Sequence, residues 1–375
     1  MATIDDVARL AGVGPTSVSH ALSGKRHVAP ATRDRILAVV DQLGYHPNAT
    51  AQSLVSHRTM TVGLIVPLDL DVLSDNRSTD FIIGAADRLD SHGYRLLCLI
   101  DRNPDVLDVH KLIRSGQVDG TLLLQVRTYD SRVEALKAEG QPFVSIGRPR
   151  STSGIVRTDA DFVTAAAMAV DYLLALGHRR IGFLSTGQDN LPVLGFQWYS
   201  LCGFRKAHRA HGLPLPKAQI LCHGRETEEG LLPALLPVLN GSLPVTALIA
   251  TTFTEAGLAM QLLSAHGLRT PEDMSIIALG EPRSSVLAVP SITVVRFSPT
   301  ELTHTAVDLL VGMLEGRTPE RLEHLLPVEL VVRSSSGPAA RAERAGDAVW
   351  ETPLRVALSS VAPERGTLSA LHERR

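Results

Sequence analysis

Four times along the chain a stretch of helical periodicity runs into a glycine and hands over to an apolar run, at His92-Gly93, Leu176-Gly177, His211-Gly212 and His266-Gly267. Glycine tolerates the left-handed conformation that closes a helix, so each pair marks a helix end followed by a strand. Apolar runs at 61–67, 94–100, 118–126, 143–146, 155–157, 181–185, 247–251 and 275–279 read as buried strands. Amphipathic stretches such as 105–114 and 163–176 lie between them. Repeated strand-helix-strand units demand a mostly parallel sheet covered by helices on both faces. The segment 61–336 is too long for one such sheet, so two doubly wound lobes are expected.

The first 46 residues break this pattern. Thr3 with Asp6 three residues on is a capping-box signature, and Ile4, Val7, Ala8 and Ala11 follow on one helical face. Gly12 is the stop, and Pro15 suits the first turn of a second helix, where a missing N–H costs nothing. In that helix Val18, Ala21 and Leu22 form the inner face, which turns Pro15, Thr16, Ser17, Ser19 and His20 outward. Small hydroxyls and an imidazole at a helix N-terminus suit contact with phosphates and base edges in a major groove. The same residues also fit an ordinary helical hairpin, since the motif recurs as plain packing.

A third helix starts at Pro30, carries Ile36, Leu37, Val40 and Leu43 as its apolar face, and stops at Gly44. Pro47 biases His46 away from helix, and Asn48 can cap the short segment 49–54. So short a helix does not stand alone in water, because nucleation outweighs the few bonds it makes. It is expected to order only on a partner, with 47–60 serving as hinge and linker.

Three blocks in order, TIDDVARLAGVGPTSVSHALSG, VAPATRDRIL and LGYHPNATAQSL, closely resemble the headpiece of the LacI/GalR family of bacterial transcription regulators. The resemblance implies a fold with an all-α helix-turn-helix headpiece joined to an α/β effector domain of two doubly wound, periplasmic-binding-protein-like lobes. It implies DNA contacts at Thr3, Pro15, Thr16, Ser17, Ser19 and His20, and in the hinge at Asn48, Ala51, Gln52 and Leu54. Leu54 matches the leucine that relatives push into the central minor groove, although it also reads as a core leucine of a linker. Gln52 stands where the family usually has Arg, which removes a cation from the contact.

Landmarks extend the resemblance along the chain, among them Val118-Asp119-Gly120, Gly147-Arg148-Pro149, Gly203-Phe204-Arg205 and the run from Pro327 to Arg333. The family binds its effector in the cleft between lobes, which implies a small-molecule partner, a sugar or sugar derivative. Candidates for ligand contact are Asp80, Phe81, Gln125, Arg148, Asp159, Trp198, Tyr199, Ser200, Thr252 and Glu281. Trp198 reads equally as a stacking platform or as lobe packing. Here the chain departs from the family: Ser200 replaces an Arg, Thr251-Thr252 replaces Asn-Asp, Gly280 beside Glu281 replaces an acidic residue, and an Asn-Pro-aromatic-aromatic motif is missing. The departures leave open a regulator with a degenerate site that no longer senses a ligand.

Composition narrows the rest. At 375 residues, 44% hydrophobic and 20% charged, the chain is of ordinary globular type. No apolar run reaches eighteen residues and no signal peptide opens the chain, so a cytoplasmic protein is expected. The net charge is -2, while residues 1–60 hold six basic and four acidic side chains, a mildly basic headpiece that needs a second copy for tight binding. A homodimer on a near-palindromic operator is therefore expected.

Cys98, Cys202 and Cys222 lack metal or disulfide spacing and read as small buried side chains. No GxSxG, HExxH or GxxxxGK[ST] occurs, so neither catalysis nor a metal or cofactor is expected. Residues 337–375 read as a disordered tail whose Leu354, Leu358, Leu368 and Leu371 hold no heptad, which predicts a dimer and not a tetramer.

Overall fold

The computed structural model describes residues 2–23, 27–45, 58–67, 77–101, 109–151, 154–188, 191–280 and 289–339. The headpiece is three helices, α1 (Ile4–Ala11), α2 (Pro15–Ser23) and α3 (Pro30–Leu43). Val7, Ala8, Ala11, Val18, Ala21, Ile36 and Val39 form its buried core, with Ile4, Leu22, Val40 and Leu43 packed against it. Gly12 and Gly44 are left-handed, with φ of 63° and 55°. The next residues close the helices: Val13 N–H reaches the Ala8 carbonyl and Tyr45 N–H the Val40 carbonyl, each at 3.0 Å. Leu37, expected inside, is exposed, and Val39 takes the inner position. Ile36, Val39, Val40 and Leu43 keep the i, i+3, i+4, i+7 spacing, and Leu37 falls one step of about 100° away from that stripe.

The chain continues through β1 (Thr61–Pro67), α4 (Arg77–Ser91), β2 (Arg95–Asp101), α5 (Val109–Arg114), β3 (Gly120–Leu124), α6 (Ser131–Glu139), β4 (Phe143–Ile146) and β5 (Val156–Ala160). It then forms α7 (Phe162–Ala175), β6 (Ile181–Gln188), β7 (Leu191–Pro192), α8 (Gly195–Ala210), β8 (Ile220–His223), α9 (Glu228–Leu239), β9 (Ala247–Ala250), α10 (Phe253–Ala265), β10 (Ser275–Leu279) and β11 (Thr293–Arg296). Last come α11 (Pro299–Leu314), β12 (Glu323–Leu326) and β13 (Glu329–Val331). One compact unit holds the N-terminal segment, Ser78–Thr158 and Pro299–His324; the other holds Asp159–Ser298 and the chain from Leu325 on.

Each unit is built on its own sheet. The first has the order β12-β5-β4-β3-β1-β2, with parallel pairing from β2 to β5 and Leu64 opposite both Cys98 and Leu122. The second has the path β13-β11-β10-β9-β6-β7 with β8 on β6, and β8, β6, β9, β10 and β11 are parallel. In both, the winding direction reverses once, between β1 and β3 and between β6 and β9. Ligands of such sheets bind outside the carboxyl ends of the strands at that reversal.

The strands at 61–67, 143–146 and 275–279 have the expected bounds. β8, β11, β12 and β13 were not among the strands the pattern predicts: each has only three or four residues, and unlike the equally short β4 none is buried along its whole length, so none stands out as an apolar run. Cys98 is exposed on the edge strand β2, and Cys202 and Cys222 are half-buried, which corrects the expectation of three buried thiols. Residues 337–339, expected in the tail, are built into the second unit. His178 Nε2 lies 3.0 Å from the Gly337 carbonyl, and Ala339 N–H donates to Leu176 at 2.9 Å. The rest of the tail, with the leucines read for a heptad, lies outside the described residues. Among the described residues no helix is long and apolar enough to cross a membrane.

Candidate nucleic-acid interface and effector site

The outer surface of α2 follows from its inner one. Val18 and Ala21 are sealed against α1 and α3, with 0% and 2% exposure, and this fixes the rotation of the helix. Pro15, Thr16 and Ser19 then stand exposed, and Ser17 and His20 half-buried. The Ser17 N–H is already paired with the Gly14 carbonyl at 2.9 Å, which closes the turn onto the start of α2. Thr3 sits at the α1 N-terminus as its cap. Its hydroxyl accepts from Asp6 N–H at 3.3 Å and donates to Asp6 Oδ2 at 2.8 Å. The Thr3 side chain, with its backbone N–H and Arg9, holds the Asp6 carboxyl below its ordinary pKa. Asn48, Ala51, Gln52 and Leu54 lie outside the described residues.

In the first lobe the candidate residues lie around the strand ends. Gln125 directly follows β3 and is left-handed, with φ of 52°, a conformation non-glycine residues rarely adopt. Arg132 accounts for it. This guanidinium is 1% exposed, donates to the Gln125 carbonyl at 3.0 Å and is held by Asp130 at 2.7 and 2.9 Å. Burial works against the Asp130 charge, but the bonds and charge of Arg132 outweigh it and lower the carboxyl's pKa.

The Gln125 amide points to Ser78 Oγ at 3.5 Å, in the first turn of α4, where Asp80 is buried and Phe81 half-buried. Arg148 follows β4, is 5% exposed, and lies 3.7 Å from Glu323, which Arg157 binds at 3.0 Å.

In the second lobe several candidates are tied into the protein itself. Ser200 is fully buried and its hydroxyl donates to the Phe196 carbonyl at 2.8 Å. Thr252 caps α10, accepting from Glu255 N–H at 3.1 Å. Trp198 and Tyr199 are half-buried on the first turns of α8. Asp159 is 4% exposed, with Oδ1 accepting from Ala160 N–H at 3.0 Å. Glu281 lies outside the described residues.

Sequence reading passed over a polar cluster at the winding reversal of this lobe. Glu255 Oε1 accepts from Thr186 N–H at 2.8 Å and pairs with His223 Nε2 at 3.0 Å. Its Oε2 accepts from the Thr251 hydroxyl at 2.8 Å and Thr252 N–H at 3.1 Å. Gln197, fully buried, donates to the Thr186 and Thr251 hydroxyls. Thr252-x-x-Glu255 is itself a capping-box pattern after an apolar strand, and it was the available signal.

Comparison with known proteins agrees with this architecture. Residues 3–48 match the model of bacterial regulatory proteins of the lacI family, and residues 170–336 match a periplasmic binding protein-like domain. The chain is 31% identical over 338 residues to the HTH-type transcriptional regulator CelR of Thermobifida fusca, covering 89% of this chain and 98% of the relative. Among solved structures, a transcriptional regulator CelR-cellobiose complex superimposes with a TM-score of 0.66 at 28% identity, over 90% of this chain and 100% of the other. A lac repressor dimer bound to operator has a TM-score of 0.75 at 22% identity, over 90% and 99% of the two chains, and shows the shared fold. A helix-turn-helix headpiece ahead of two doubly wound lobes, matched along nine-tenths of its length, places the chain in the LacI family of bacterial regulatory proteins.

Proposed function

We propose that this LacI-family transcription regulator represses its targets as a homodimer on a near-palindromic operator, with its grip on DNA set by a sugar or sugar-derived effector. The observation that carries the reading is the exposed Pro15, Thr16 and Ser19 on a helix whose rotation is fixed by its buried Val18 and Ala21. In this reading Thr16, Ser17, Ser19 and His20 contact bases or phosphates, and Thr3 contributes through the α1 cap. Asn48, Ala51, Gln52 and Leu54 extend the contact, with Leu54 entering the minor groove. Sugar binding is supported by the likeness to the CelR-cellobiose complex and by polar side chains at the strand ends of both lobes. Gln125, Arg148, Asp159, Trp198 and Tyr199 are the proposed contacts, and Asp80, Phe81 and Glu281 are further candidates. Ser200 and Thr252 shape the second lobe from within.

Two measurements test this. Thr16→Ala together with His20→Ala should weaken specific operator binding by about 1–3 kcal/mol per lost base contact in fluorescence anisotropy. Equal affinity of variant and wild type would remove α2 from the interface. Thermal shift against a panel of mono- and disaccharides, cellobiose included, should show stabilisation by at least one sugar. A flat panel with unaltered DNA binding would overturn the effector half of the proposal.

A further inference from the structure

The cluster at the winding reversal of the second lobe contains an ion pair that no solvent reaches. His223 and Glu255 side chains are both 0% exposed. The partners of the imidazole decide its protonation. Nδ1 lies 2.7 Å from the Arg225 carbonyl, which can only accept, so Nδ1 carries a proton. Nε2 lies 3.0 Å from Glu255 Oε1, and the other three neighbours of that carboxylate, Thr186 N–H, Thr251 O–H and Thr252 N–H, are donors. A carboxylate surrounded by donors is satisfied as the anion, and an imidazole between two acceptors is satisfied as the cation.

We propose that His223 is held as an imidazolium between the Arg225 carbonyl and Glu255, so that this buried pair is a proton-dependent clamp on the ligand end of the second lobe. The pair joins three elements: β8 ends in His223, Glu255 lies on the first turn of α10, and Glu255 holds the Thr186 backbone near the end of β6. Through Thr251 and Gln197 it also reaches the end of β9 and the start of α8.

The charged and titratable surroundings favour this state. Glu226, on the loop after β8, adds a second negative charge. Cys222 has its thiol pushed up to about 11 by burial and by Glu255, so it stays neutral, and Arg205 of α8 acts on that thiol. α9, packed on β8, turns Leu231 and Leu235 inward. Burial opposes the charge on His223, but the bond and charge of Glu255, the Arg225 carbonyl and Glu226 raise its pKa above the ordinary value.

A histidine whose folded pKa is raised stabilises the fold fully below its unfolded value of about 6.5, and that contribution is lost as pH climbs through the folded value. Between the two values the unfolding constant grows up to about tenfold per pH unit from this one proton.

The test uses the full-length protein with 15N-labelled histidine, observed by long-range 1H–15N correlation above pH 7.5. The expected result is one histidine with both nitrogens protonated after exposed histidines have lost a proton, its signal absent from His223→Gln and Glu255→Gln. A neutral ring at that position overturns the clamp. Should His223→Gln fail to fold, urea melts of wild type and Glu255→Gln from pH 6 to 9 decide: the wild-type midpoint should fall with pH and the variant's slope should flatten. Equal slopes would contradict the proposal. Neither readout needs an effector, so a negative result here leaves the sugar-sensing reading standing.

Discussion

Gly203 shows how one residue can be demanded by packing. A Cβ built at Gly203 would lie 2.1 Å from the Val163 carbonyl oxygen of α7, so α7 and α8 approach closely only because no side chain intervenes. Gly203→Ala should therefore destabilise the protein by about 1–3 kcal/mol or more in urea melts, the range for overpacked cores. The sequence already offered this residue in Gly203-Phe204-Arg205, but only as a landmark, because close approach of two backbones leaves no periodic trace. Thr3 is the reverse case: its capping role was written in the Thr3-x-x-Asp6 spacing and is seen in the structure. Thr3→Ala should lower headpiece stability by about 0.5–2 kcal/mol, read by circular dichroism melts. Removing one member of the buried His223–Glu255 pair is more severe, and Glu255→Ala should destabilise by about 3–5 kcal/mol.

At the scale of elements, helices with clear stops and fully buried strands such as Phe143–Ile146 were legible, and short strands with an exposed or half-buried residue were not. Gly93, Gly177, Gly212 and Gly267 all take positive φ after the helices they were expected to end. Four-residue strands such as Ile220–His223 are assigned by the neighbours they pair with, information that lies elsewhere in the chain. The same gap separates the two candidate sites. The face of α2 follows from a local 3.6-residue pattern, so its outward residues were readable one by one. The effector ends are gathered from distant loops, so His223 behind Glu255 came to light only through contacts, while the local Thr252-x-x-Glu255 spacing was passed over. Ser200 and Thr252 replace family ligand positions in sequence, and their hydroxyls bond within the lobe. The hinge gives a separate expectation: Leu54→Ala should weaken operator binding strongly while sugar-induced thermal stabilisation stays unchanged. Unchanged operator affinity in gel shift would reassign Leu54 to the linker.

For the molecule as a whole, a mildly basic headpiece on a chain of net charge -2 is expected to bind DNA tightly only when two headpieces act together and at low screening. Family membership and the two-sheet architecture were both legible, since motif order and strand-helix alternation are properties of the entire chain. Selection of random duplexes by the full-length protein checks whether α2 reads sequence at two symmetric half-sites. The expected outcome is enrichment of a near-palindrome whose half-site centres lie roughly 10 bp apart, lost in Thr16→Ala/His20→Ala. Enrichment of no motif, or of the same motif with equal affinity by that double variant, would contradict it.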